Sequence, residues 1–207
     1  HNLITLMCFI GLFDSMQLIF GKDRISVACS NPDIPQDENN LAFQAARLFL
    51  NSSRIQEGVH IEIDKSIPVG AGLGGGSSNA ASVLLGLNAH YGSPYSIDEL
   101  CKMGNRLGAD VSFFIFGGPA VATGIGDTLT HFNNLISYPI LLIYPSVSVS
   151  TGEVYQALNL TLTKNKKINT NTIFKLDWGR NTPKLLRNDL EAAASALCPD
   201  IQTAKQC

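Results

Sequence analysis

Several things this chain lacks narrow the search before any motif is read. Charge is sparse: Asp, Glu, Lys and Arg make up 15% of 207 residues and leave a net charge of -2. Without a basic block, nucleic acid is not the expected main partner. The densest basic run, Lys164–Lys167, reads as a solvated loop. Cysteine pairing is missing too. Cys8, Cys29, Cys101, Cys198 and Cys207 form no CxxC pair, their number is odd and no zinc spacing appears, so reduced thiols are expected. There is no uninterrupted apolar run either. The stretch Leu3–Phe20 is broken by Asp14, Ser15 and Gln17 and has no basic flank, so it reads as buried strands, not as a membrane span or signal peptide. Internal repeats and low-complexity tracts are likewise absent.

What is present is an apolar fraction of 45%, enough for a globular core. Val59, Ile61 and Ile63 alternate with His60, Glu62 and Asp64, which predicts a half-buried strand and a surface place for His60. Leu41, Ala45, Leu48 and Phe49 recur at helical spacing behind a cap at Asn39 or Asn40. Residues 77–92 predict a helix with Ala80, Val83, Leu84 and Leu87 inward and Gly92 as its stop; His90 suits its C-terminal dipole. Ser96 with Glu99, and Ser150 with Glu153, have capping-box spacing. Residues 119–127 read as a short strand and turn, Tyr138–Ser146 as a buried strand, and Asn188–Leu197 as a helix. The mixture predicts an α+β fold.

The segment PVGAGLGGGSSNAAS, Pro68–Ser82, carries the chemistry. Gly70, Gly72 and Gly75 satisfy G-x-G-x-x-G, a weak signal alone. A P-loop would need a lysine after its last glycine, but Ser77 follows Gly76 directly. A Rossmann turn would start at the strand end, whereas Lys65–Pro68 intervene. A protein-kinase glycine loop joins two strands, while this one enters an alanine-rich helix. The remaining arrangement is strand, long glycine loop, helix, with consecutive amides facing an anion. Ser77 and Ser78 could then cap the helix, donate to phosphate or hold magnesium.

The same segment resembles the second motif of the GHMP kinases, the family of galactokinase, homoserine kinase, mevalonate kinase and phosphomevalonate kinase. HNLITLM, DENNLAFQAARLF, LGADVSFFIFGGPAVATGIGD and NDLE resemble further family stretches in the same order. The longer form GLGGGSSNAA is similar to the branch acting on a cytidine-diphosphate-linked methylerythritol. The resemblance implies transfer of the γ-phosphoryl of ATP to its 2-hydroxyl, in the non-mevalonate isoprenoid route; the alternatives are another small-molecule kinase of the family and a nucleotide-binding module without phosphotransfer. It also implies a first domain like ribosomal protein S5 over residues 1–137, lacking its first strand, and a partial ferredoxin-like domain over 138–207.

By position, the resemblance makes Asp110 the catalytic aspartate. It assigns Pro68, Gly70, Gly72, Leu73, Gly74, Gly75, Gly76, Ser77, Ser78 and Asn40 to ATP. It assigns His1, Tyr155 and Thr151 to the acceptor, and magnesium to Ser77 and Ser78. Each has a plainer reading as well: a turn aspartate, helix packing for Tyr155, caps for Ser150 and Thr151. The implied partners are ATP and a small molecule, not nucleic acid or membrane, in a bacterial cytoplasm or a plastid stroma. Family members also carry a lysine before the position of His1 and a third glycine-rich motif late in the second domain. Neither is in this chain, so it is expected to be incomplete at both ends and inactive, or nearly so, on its own.

Overall fold

The computed structural model describes residues 3–133, 135–137, 139–147, 149–157 and 188–206. It divides into two units, one formed by His1–Pro68 with Leu73–Asn133, the other by Val69–Gly72 with Asn134–Cys207.

The first unit is built on two small sheets. In one, β1 (Leu3–Met7) pairs antiparallel with β5 (Ala120–Gly124), which pairs antiparallel with β6 (Thr128–His131). In the other, β4 (Gly58–Asp64) is central, antiparallel to β2 (Ser15–Lys22) and parallel to β3 (Ser26–Cys29). Parallel neighbours need a crossover, and α1 (Leu41–Ser52) lies in the one between β3 and β4. The alternation in β4 is as predicted: Val59, Ile61 and Ile63 are buried. His60 stays on the outer face, where its Nδ1 lies 2.8 Å from the Ser26 hydroxyl on the neighbouring strand.

Three further helices cover this core: α2 (Gly75–His90), α3 (Ile97–Leu107) and α4 (Ala109–Phe116). α2 packs on both α1 and α4, and α3 packs on α4. Ala80, Val83, Leu84 and Leu87 of α2 are fully buried. Each of the larger three contributes about 1.5–3 kcal/mol by leaving water. Gly86 permits the approach of β2, since a Cβ there would lie 2.5 Å from Leu18 Cδ1. Local signals fix most helix ends. Asn40 Oδ1 accepts from the Ala42 amide at 2.8 Å, and Ser96 with Glu99 forms the full capping box. Asn88 exchanges two 3.0 Å hydrogen bonds with the Tyr95 backbone, which locks the α2–α3 turn.

The described residues of the second unit contain α5 (Thr151–Ala157), α6 (Glu191–Leu197) and α7 (Pro199–Gln206), and no strand. The Glu153 amide donates to Ser150 Oγ at 3.4 Å, as its spacing suggested. Lys205 pairs with Glu191 between α6 and α7.

Two readings are corrected. The run ending at Ser146 is not a buried strand: Ile140, Leu141, Leu142 and Ile143 are 56%, 84%, 45% and 52% exposed, and no described strand pairs with it. Its apolar run gives a propensity, but a buried strand also needs a neighbour to satisfy its backbone. The stretch Leu3–Phe20 does form two strands, but it is not buried throughout: Ile4 in β1 is 42% exposed, and Phe9 and Phe13 in the connection to β2 are 43% and 71% exposed. Among the described residues no helix is long and apolar enough to cross a membrane. Cys8, Cys29, Cys101 and Cys198 are free thiols. The basic run 164–167 lies outside the described residues.

β4 begins against the backbone of the β2–β3 connection. A Cβ on Gly58 would sit 2.2 Å from the carbonyl carbon of Arg24, where no side chain can rotate away. Gly58→Ala is therefore expected to lower the unfolding free energy by about 3 kcal/mol, read from urea denaturation.

Candidate functional site

The glycine segment leaves β4 at Asp64 and enters α2 at Gly75, two residues before the first serine. Gly70, Gly72 and Gly74 have φ of 72°, 71° and 68°. Each of these three positions has the left-handed backbone that glycine adopts without strain. Gly74 is the N-cap of α2 and offers no side chain to it. The first backbone bond there runs from the Ser78 amide to the Gly74 carbonyl at 2.8 Å. The amides of Gly75, Gly76 and Ser77 consequently have no intrahelical partner. Ser77 and Ser78 do not cap α2, because they already lie inside its first turn. Their hydroxyls are thus not committed to the capping role that the sequence suggested.

Neighbouring elements fix where this helix start lies. A Cβ on Gly74 would be 2.9 Å from the Phe114 ring. A Cβ on Gly75 would be 3.0 Å from Lys65 Nζ and 3.1 Å from Ile67 Cγ2. A Cβ on Gly76 would lie 3.6 Å from Leu41 Cδ1, so α1 and α2 start side by side. Phe114 is itself held by Phe9 and Phe113, with ring centroids at 5.7 and 5.3 Å.

Asp110 stands in the first turn of α4, exposed, four residues before Phe114. Positions i and i+4 share a helix face and are separated by about 6 Å of rise. The face of α4 that carries Asp110 is therefore the one that touches the start of α2. The packing of Gly74 on Phe114 brings the sequence-predicted aspartate and the sequence-predicted loop end together in one unit.

Asp14 and Lys65 were not among the sequence candidates. The Asp14 side chain is 1% exposed and that of Lys65 is 7% exposed. Asp14 Oδ2 accepts from Lys65 Nζ at 2.6 Å, and Oδ1 accepts from the amides of Ser66 and Ile67 at 2.8 Å each. Burial alone would push the Asp14 carboxyl up. The Lys65 hydrogen bond, the two amides and the Lys65 charge outweigh it and hold the group below its ordinary 3.8. The signal available in the sequence was a lone acid inside an apolar stretch, since buried carboxylates are kept only with partners. Tyr144 was missed as well; in the second unit its hydroxyl donates to the Val69 carbonyl at 3.0 Å.

The other candidates are placed less fully. Asn40 uses Oδ1 on Ala42 and one Nδ2 hydrogen on the Pro35 carbonyl, at 2.7 Å, which leaves one N–H. Thr151 opens α5 and Tyr155 lies half-buried within it, both in the second unit. His1 lies outside the described residues. No group of three or more His, Cys, Asp or Glu side chains is gathered for a metal among the described residues.

The chain resembles known proteins along most of its length. Residues 40–118 match the GHMP kinases N terminal domain. The 4-diphosphocytidyl-2-C-methyl-D-erythritol kinase of Desulfotalea psychrophila is 42% identical, the match covering 99% of this chain and 70% of that protein. The enzyme of the same name from Syntrophus aciditrophicus is 40% identical, with 99% and 73% covered. A crystal structure of 4-(cytidine 5'-diphospho)-2C-methyl-D-erythritol kinase superposes with a TM-score of 0.73 at 30% identity, covering 100% of this chain and 73% of that one.

Two outcomes follow from these contacts. Gly74→Ala is expected to cost about 1–3 kcal/mol from its left-handed backbone plus the ring contact. In a Phe114→Ala background the cost falls by about 0.5 kcal/mol or more, a coupling that a double-mutant cycle in urea measures. Asp14 has a lowered native pKa, so its stabilisation is complete above its unfolded value and is lost as pH falls through the native one. The unfolding free-energy gap between the parent and Asp14→Asn should hold constant from pH 7 down to about pH 5 and close below 3.8. Urea titrations across that range check it.

Proposed function

The chain belongs to the GHMP kinase family, and we propose that it phosphorylates the 2-hydroxyl of 4-diphosphocytidyl-2-C-methyl-D-erythritol with ATP as donor. Relatives at 40–42% identity that bear that substrate in their name support the acceptor. The observation that supports the phosphoryl-transfer reading is the close packing of Gly74 on Phe114, because Phe114 and the exposed Asp110 are one turn apart on the same face of α4.

In this reading the unpartnered amides of Gly75, Gly76 and Ser77 take the phosphate oxygens of ATP, helped by the positive end of α2. Pro68, Gly70, Gly72 and Leu73 shape the approach, and Gly74 sets the helix start. Asn40 faces the adenosine with its remaining N–H. The acceptor contacts are assigned to His1, Thr151 and Tyr155. The carboxylate of Asp110 accepts the proton of the attacking hydroxyl. The freed oxygen forms a bond to the γ-phosphorus, the bond to the β-bridging oxygen breaks, and ADP leaves. The nucleotide brings negative charge that amides alone balance only in part. Hydroxyl oxygens at Ser77 and Ser78 suit a magnesium ion, which keeps few protein ligands and takes the rest from phosphate and water. Bound there with ATP, it would supply charge neutralisation; Ser77 and Ser78 would hold it.

Asp110→Asn in the full-length protein is expected to lower kcat by about 100-fold or more while leaving MgATP affinity nearly unchanged. Unchanged turnover would remove Asp110 from the reaction. Loop amide signals that stay still on addition of MgATP would remove the nucleotide site.

A further inference from the structure

We propose that Asp14 is a positioning residue for nucleotide binding: its carboxylate ties the exit of β4 against the start of α2 and so sets the two ends of the glycine loop before ATP arrives. The inference rests on the proposed kinase reading, which assigns no role to this residue.

The loop has two ends in the first unit, and one contact network holds both. At the exit of β4, three consecutive residues are fixed to a side chain more than fifty positions earlier. The Lys65 ammonium and the Ser66 and Ile67 amides all donate to Asp14. The Lys65 amide donates to Ser30 Oγ at 2.9 Å, so Lys65 is pinned through backbone and side chain alike. At the start of α2, Gly75 touches the same Lys65 and Ile67. Only the absence of a side chain at Gly75 lets the ammonium come that near. Asp14 thereby holds the groups against which the first helical residue packs.

Charge explains why a carboxylate is needed. The start of α2 is the positive end of its dipole, where a cation is unfavourable. Lys65 nonetheless places a nearly buried ammonium beside it. An unpaired cation there would turn outward or shift the backbone that carries it. With Asp14 present, Lys65 is neutralised and the amides of Gly75, Gly76 and Ser77 keep their aim. Backbone amides bind by position and have no rotamers with which to follow a ligand, so a small slip of this exit weakens their hold on the nucleotide.

The test uses the full-length protein and separates positioning from mere support. Asp14→Asn keeps an acceptor for the two amides but leaves Lys65 unpaired. The pair Asp14→Leu with Lys65→Met replaces the buried ion pair by apolar groups, a change that often restores stability. The Michaelis constant for ATP is expected to rise about 10-fold or more in both proteins. The constant for the alcohol acceptor and kcat should stay within about threefold. In the apolar pair the melting temperature recovers in part, since the unpaired cation is gone but the Ser66 and Ile67 amides have lost their acceptor, while ATP binding does not recover. Recovery of both together, an unaltered ATP constant, or an equal rise in both constants would overturn the inference and leave the kinase reading standing. Should Asp14→Asn fail to fold, the apolar pair carries the same readout. A parent protein without ATP-dependent phosphorylation would sink the kinase reading and this inference with it.

Discussion

The start of α2 can lie only where side chains are missing. Gly74 meets a phenylalanine ring at a spacing that excludes a Cβ, and Gly75 meets an ammonium and an isoleucine at the edge of contact. Other features of the site follow from that constraint. Because the cap has no side chain, the first-turn amides have no capping partner. Because Phe114 fills the space over Gly74, α4 lies against α2 with the face that carries Asp110. Because Gly76 abuts Leu41, the helix capped by Asn40 begins beside the same loop. One close approach thus settles the backbone, the carboxylate and the neighbouring helix together.

The rest of the first unit acts as a rigid mount for this approach. α2 is buried along one face from Asn79 to Asn88, and Ala80, Val83, Leu84 and Leu87 on it are fully excluded from water. Its far end is fixed by the reciprocal Asn88–Tyr95 bonds and by His90, which stacks on Phe20 at 3.6 Å. A helix held along its side and at its C-terminal end cannot slide to relieve crowding at its start. Strain or charge placed near Gly74 must then be absorbed by the loop. Backbone groups that bind by position benefit from such a mount, because they have no rotamers with which to recover a lost contact.

Legibility in the sequence tracked the range of the interaction. The capping box at Ser96, the cap at Asn40, the stop at Gly92 and the alternation in β4 rest on residues a few positions apart, and each was readable. The start of α2 was set two residues late, because glycines at the first helical positions are penalised by propensity; here the packing on Phe114 and Lys65 overrides it. Asp14 was seen only as an interruption, since its partners lie 51 to 53 residues away. Phe114 was one apolar residue in an apolar helix, and nothing local marked it as the ring over Gly74. The run through Ile140–Ile143 has the composition of a buried strand, yet composition cannot supply the neighbouring strand that burial requires. The loop was therefore legible as a loop, but not what holds it in place.

The electrostatic balance of the site points the same way as its geometry. Two helix starts, those of α1 and α2, lie side by side, and each contributes roughly half a positive charge. A buried ammonium lies against one of them. Asp14 offsets the ammonium and is oriented away from the helix ends, one oxygen bonded to Lys65 and the other to two amides of the β4 exit. The site is thus neutral where it is dry and positive where the amides are open. Had the carboxylate been free to turn towards α2, it would have met those amides itself and competed with any anion. Tying it to Lys65 and to the β4 exit removes that competitor while keeping its structural work. An arrangement that commits this buried carboxylate elsewhere leaves an open field for a ligand that brings its own negative charge, and a polyphosphate chain has both the charge and the row of oxygens to meet consecutive amides.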